Sequence, residues 1–95
     1  MGRPPKKARV ASLHDDTYQR FVQSLVQRRK ASKKSQQVVA DALDWNQSII
    51  AKIETAQRRI DVIELIRLSD VVGFDVIKLV REARNTMIRE GKIRG

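Results

Sequence analysis

The sequence predicts an all-α domain of five helices behind a basic N-terminal arm, and three observations carry that prediction. Apolar residues recur at three- and four-residue spacing from about Asp15 onward, the period of helices buried on one face. Residues that cap helix starts, Ser35, Asn46, Asp61 and Asp75, stand just ahead of such segments. The length of 95 residues, with no internal repeat, fits one small core. Residues 1–14 read as the arm, 15–89 as the helical domain and 90–95 as a basic tail.

The arm, MGRPPKKARVAS onward, is Pro-rich and basic and lacks apolar periodicity, so it is expected to be flexible. Gly2-Arg3-Pro4 matches the core of a minor-groove-binding hook over only three residues, since Met1 precedes it where such hooks carry Arg. A broader role for Arg3, Lys6, Lys7 and Arg9 is contact with phosphates. Helix one runs from about Asp15 to near Ser32, with Tyr18, Phe21, Val22, Leu25 and Val26 on one face. Asp15 and Asp16 suit its positive end, and Arg28, Arg29 and Lys30 its negative end. Its aromatics stand at core spacing, which favours packing over base stacking.

Ser35 caps a second helix through Leu43, Asp44 takes the turn, and Asn46 caps a third helix from Gln47 to about Thr55. On the third helix Ile50 and Ile53 point inward, leaving Gln47, Ser48, Ile49 and Lys52 outside. Trp45, in the turn, is an anchor for a small core. Thr55 to Arg59 form a loop. Helix four starts after Asp61, with Val62, Leu65, Ile66, Ser69 and Val72 on one face and Gly73 as its stop. Helix five, after Asp75, carries Val76, Ile77, Leu79, Val80, Ala83, Met87 and Ile88, more apolar surface than one intramolecular face needs. Val76, Val80, Met87 and Ile88 are therefore expected at a homodimer seam. From Arg89 to Gly95 the chain is expected to fray.

Charge narrows the function. A net charge of +9 and a pI near 10.7 favour a polyanionic partner, either nucleic acid or an anionic membrane. The surplus sits at the two ends, because residues 35–79 hold five basic side chains against seven acids. Aromatics make up 4%, which argues against a stacking platform for single strands. There is no cysteine, so disulfides and thiolate zinc sites are excluded and a reducing cytoplasm is the natural location. His14 is the sole histidine and has no convergent groups around it, so neither catalysis nor a cofactor is expected. No apolar run approaches the ~20 residues of a membrane span, and no secretory leader is seen.

A helix with amides at its exposed start, such as the one opening at Gln47, suits direct readout of a DNA major groove. Gln47 matches adenine, Lys52 matches guanine or phosphate, Ser48 is adaptable, and Ile49 fits a thymine methyl. Gln36, in the first turn of helix two, suits phosphate, as do Lys33, Lys34, Asn46, Arg58 and Arg59 around it.

Ser35-Gln36, Ala40, Gln47-Ser48, Lys52-Ile53-Glu54 and the run Arg58-Arg59-x-Asp61-Val62-x-Glu64-Leu65 together resemble the Cro/C1-type helix-turn-helix family of phage repressors and xenobiotic-response-element-like bacterial regulators. The likeness covers roughly residues 18–84. It implies a lambda-repressor-like fold of five helices, a two-fold dimer on a palindromic operator, and an Arg29–Glu54 pair that belongs to the scaffold. Two departures stand out: Asp44 and Ala56 occupy positions where the family commonly has Gly, and Lys34 replaces an apolar residue. The leading expectation is a sequence-specific, dimeric repressor of the bacterial or phage nucleoid that binds double-stranded DNA without a membrane. The alternatives are an antitoxin that binds a toxin through helix five or Ile49, and a sequence-tolerant architectural protein that relies on its arm.

Overall fold

The computed structural model describes residues 15–95. The arm, with Arg3, Lys6, Lys7, Arg9 and His14, lies outside the described residues. Five helices follow in order: α1 (Asp16–Ala31), α2 (Gln36–Leu43), α3 (Gln47–Glu54), α4 (Val62–Val72) and α5 (Val76–Arg89).

The boundaries follow from local chemistry. Side-chain oxygens of Asp15, Ser35 and Asp75 accept from the amides of Thr17, Val38 and Lys78 at 2.9, 3.1 and 3.0 Å. At α4 the cap is reciprocal. Asp61 accepts from the Glu64 amide at 2.7 Å, and the Glu64 carboxylate accepts from the Asp61 amide at 3.0 Å. Asn46 occupies the start of α3 but its side chain makes no capping hydrogen bond. Gly73 ends α4 at φ 95°, and Asp44 ends α2 in the left-handed region at φ 59°, where its short polar side chain is tolerated.

Lys33 and Ala56 also adopt left-handed geometry, at φ 61° and 60°. For Ala56 this resolves the departure noted above: the loop keeps the shape a glycine would take. The amides of Gln57 and Arg58 both return to the Lys52 carbonyl, at 2.8 and 3.2 Å, and hold that turn closed.

Among the described residues, nine of the ten buried apolar side chains come from the first four helices: Val22 and Leu25, Val39 and Ala40, Ile50 and Ile53, then Leu65, Leu68 and Val72. Leu79 of α5 completes the core. Phe21 and Trp45 pack against its edge, so the tryptophan does anchor the core. Helix α2 packs on α3 and α4, and α1 also packs on α3.

Two expectations change, on α4 and beyond Arg89. Val62 and Ile66, assigned to the inner face of α4, are 69% and 48% exposed, and Leu68 is buried instead. Leu65, Leu68, Ser69 and Val72 form the inward stripe of α4, with Val62 and Ile66 to one side. On α5 only Leu79 is buried; Val76, Ala83, Met87 and Ile88 are half-buried, and Ile77 and Val80 are exposed. The chain beyond Arg89 is tied down, since Glu90 pairs through both carboxylate oxygens with Arg20 and Lys92 donates to the Thr17 hydroxyl at 2.6 Å.

Candidate nucleic-acid interface

Helix α3 is fixed by its apolar side. Ile50 and Ile53 are each 2% exposed, so rotation about the helix axis would pull them from the core. The opposite side is thereby set outward: Ser48 and Lys52 are exposed, and Gln47 and Ile49 are half-buried. At 1.5 Å per residue its eight residues span about 12 Å, comparable with the width of a major groove. The Asn46 side chain makes no capping bond and the Ile49 amide donates to the Asn46 carbonyl at 3.0 Å, which leaves the Gln47 and Ser48 amides to meet an anion.

Behind α3 runs a chain of polar contacts. The Gln47 amide nitrogen donates to Gln36 Oε1 at 2.6 Å, and Gln36 Nε2 donates to Glu54 Oε1 at 2.8 Å. Glu54 also accepts from Arg29 Nε at 2.6 Å and from a terminal Arg29 nitrogen at 2.9 Å. The remaining arm of the Arg29 guanidinium donates to the Lys34 carbonyl at 2.8 Å. Arg29 and Glu54 side chains are only 12% and 11% exposed, so the pair is semi-buried, as the resemblance implied. Its hydrogen bonds to Glu54 raise the Arg29 pKa further above its ordinary value.

This arrangement brings Gln36 against Gln47, and it places Lys33 and Lys34 in the α1–α2 connection, which Arg29 holds through the Lys34 carbonyl. The loop arginines are already engaged. Arg58 forms a two-pronged pair with Glu64, with N–O distances of 3.1 and 2.7 Å, and holds that carboxyl below its ordinary range. Arg59 lies over the Tyr18 ring at 4.3 Å, and the Tyr18 hydroxyl accepts from the Ile60 amide. Both arginines therefore brace the α3–α4 loop. Their capping partner Glu64 and ring partner Tyr18 were not paired with them by sequence reasoning, although Asp61 and Glu64 at cap and third position were a visible signal for the box.

A second surface feature lies between α4 and α5. An open apolar groove of about 560 Å³ is lined by Val62, Leu65, Ile66, Val76, Ile77 and Val80, with Arg81 and Arg84 at its edge. It includes Val76 and Val80 of the expected dimer seam but not Met87 or Ile88. No group of three potential metal-ligating side chains occurs among the described residues, and no described helix is long and apolar enough to cross a membrane.

Two short helices set by an αL turn, the second presenting a polar outer face from an apolar seat, define a helix-turn-helix DNA-binding domain. The comparisons agree, and the chain belongs to the Cro/C1-type helix-turn-helix family: the helix-turn-helix model HTH_3 matches residues 25–79, more than half of it. Among solved structures, an XRE-family-like protein from Pseudomonas syringae pv. tomato str. DC3000 superposes with a TM-score of 0.75 at 28% identity, over 87% of this chain and 98% of that one. No curated protein matches significantly in sequence.

Proposed function

We propose that the protein is a sequence-specific transcriptional regulator, a repressor, that binds double-stranded DNA as a homodimer on a palindromic operator. The observation that carries this reading is the fixed phase of α3, with Ile50 and Ile53 buried and Gln47, Ser48, Ile49 and Lys52 turned away from the core. In this reading those four residues meet base edges in the major groove. Gln36, Lys33, Lys34 and Asn46 meet phosphates, and Arg3, Lys6, Lys7 and Arg9 add contacts from the arm. Arg58 and Arg59 are secondary phosphate contacts, because Glu64 and Tyr18 already engage them.

The groove between α4 and α5 supports the dimer, with Val76 and Val80 from the original seam joined by Val62, Ile66 and Ile77. Met87 and Ile88 stand at its margin in this proposal. The same groove favours a second reading, an antitoxin whose toxin occupies it. The test is selection of bound duplexes from a random pool, followed by Gln47→Ala on the winners. A symmetric site, and a loss of operator-to-random preference in the variant by roughly 5–150-fold, support direct readout. An unchanged ratio removes Gln47 from the reading surface, and equal affinity for all duplexes points to an architectural protein.

A further inference from the structure

We infer that Glu54, eighteen residues from Gln36 and with no exposed position on the reading face, determines which hydrogen-bonding groups Gln47 shows to DNA. The inference rests on the reading of α3 as the recognition helix. A carboxylate only accepts hydrogen bonds. Glu54 accepts from Arg29 through both oxygens, so the group that Gln36 turns to it must be its amide nitrogen, at 2.8 Å. The Gln36 oxygen then faces Gln47, and Gln47 must answer with its own nitrogen, at 2.6 Å. The orientation of two amides thus follows from one charge, without any need to see hydrogens.

Gln47 is left with a free oxygen and one N–H. That pair complements the adenine edge in the major groove, which offers an N6 donor and an N7 acceptor. Guanine has O6 in place of the donor, and two oxygens would then face each other. Were the relay reversed, Gln47 would turn its NH₂ outward and favour guanine. Glu54 is accordingly a positioning residue for base choice, acting through Gln36, as well as half of an ion pair.

The experiment compares Glu54→Gln with Arg29→Lys in the full chain. Glu54→Gln keeps the shape but supplies an atom that donates, so the accept-only end of the relay is lost. Arg29→Lys weakens the ion pair but leaves the carboxylate in place. The readouts are the affinity ratio for adenine over guanine at the operator position that Gln47→Ala affects, and the side-chain amide resonances of Gln36 and Gln47 in the DNA-free protein. We expect Glu54→Gln to lower the ratio roughly tenfold or more, since one bidentate pair is worth on the order of 5–150-fold, and Arg29→Lys to retain it despite a lower melting temperature. The Gln36 and Gln47 amide protons should be shifted from free-glutamine positions in the wild type and return toward them in Glu54→Gln.

A ratio that stays unchanged in Glu54→Gln, or falls equally in both variants, overturns the proposal and leaves Glu54 as scaffold. Free-glutamine resonances in the wild type overturn it without reference to DNA. If Gln47→Ala affects no operator position while the amides are shifted, the recognition-helix reading itself fails, and the role in base choice fails with it.

Discussion

The block α1–α4 and helix α5 are built on opposite principles. Among the described residues the block contributes every buried apolar side chain except Leu79, and Val39 and Ala40 at its centre have no accessible surface. Helix α5 has fourteen residues, of which Leu79 alone is buried, while Ile77 and Val80 stay 63% and 50% exposed. Its middle and its far end are attached to α1 by charge, through Arg28–Glu82 and Arg20–Glu90. In the proposed function the difference separates two tasks. A reading helix must be held in one rotational setting, which close packing provides. A helix that meets another molecule must keep apolar surface uncommitted until the partner arrives.

Ile53→Ala should have the largest effect, because it opens a void under α3 in the rigid block. A loss of about 2–5 kcal/mol in unfolding free energy is expected from denaturant titration, with a cooperative transition and loss of operator binding. A loss under about 1 kcal/mol would mean that the block collapses around the void and is less rigid than its packing indicates.

Val80→Asp addresses the other half of the comparison. Placed on the open groove, the carboxylate should leave monomer stability within about 0.5 kcal/mol. Dimer association should weaken by at least about tenfold, read by sedimentation equilibrium. A variant that dimerises normally would move the seam elsewhere, while a variant that unfolds would show that α5 depends on Val80 within its own chain.

How much of this was legible in the sequence follows the same division. Ser35, Asp61, Asp75 and Gly73 mark helix ends through chemistry that acts within a few residues, so all five helices could be placed. The inward side of α3 was equally clear, since Ile50 and Ile53 stand three residues apart on one face of a helix that opens with Gln47 and Ser48. Helix α4 was misphased because Val62 and Ile66 are as apolar as Leu65 and Leu68. A pattern of apolar residues cannot distinguish a side chain packed on its own chain from one that lines an open groove. The Gln47–Gln36–Glu54 relay was not legible from spacing at all, because its direction depends on which atoms meet. Only the Arg29–Glu54 pair was anticipated, and that through family resemblance.

Ala56→Gly probes the joint where the rigid block leaves α3. Alanine at φ 60° carries a strain of roughly 1–2 kcal/mol, partly offset by the extra freedom glycine would have when unfolded. The substitution should therefore stabilise the fold by about 0.5–1 kcal/mol and leave base preference intact. Destabilisation would show that the alanine methyl makes a contact worth more than the strain.

The smallest effect concerns the electrostatic attachment of α5. Hydrogen bonds from Arg20, assisted by Lys92, lower the Glu90 pKa from its ordinary 4.5 to about 2. A carboxyl depressed in the folded state stabilises that state above the unfolded pKa and loses the contribution as pH falls through the folded one. The attachment should thus be intact at all pH values above about 4.5 and dissolve between there and about 2. Because the groups are exposed, salt should weaken it at neutral pH as well. NMR titration of the Glu90 carboxyl carbon checks this, with the Lys92 and Thr17 signals moving alongside and the Ile50 and Ile53 methyls unchanged until the block itself unfolds. A midpoint near 4.5 would mean that Arg20 does not hold Glu90 in solution and that the end of α5 swings free, sharpening the contrast with the packed block.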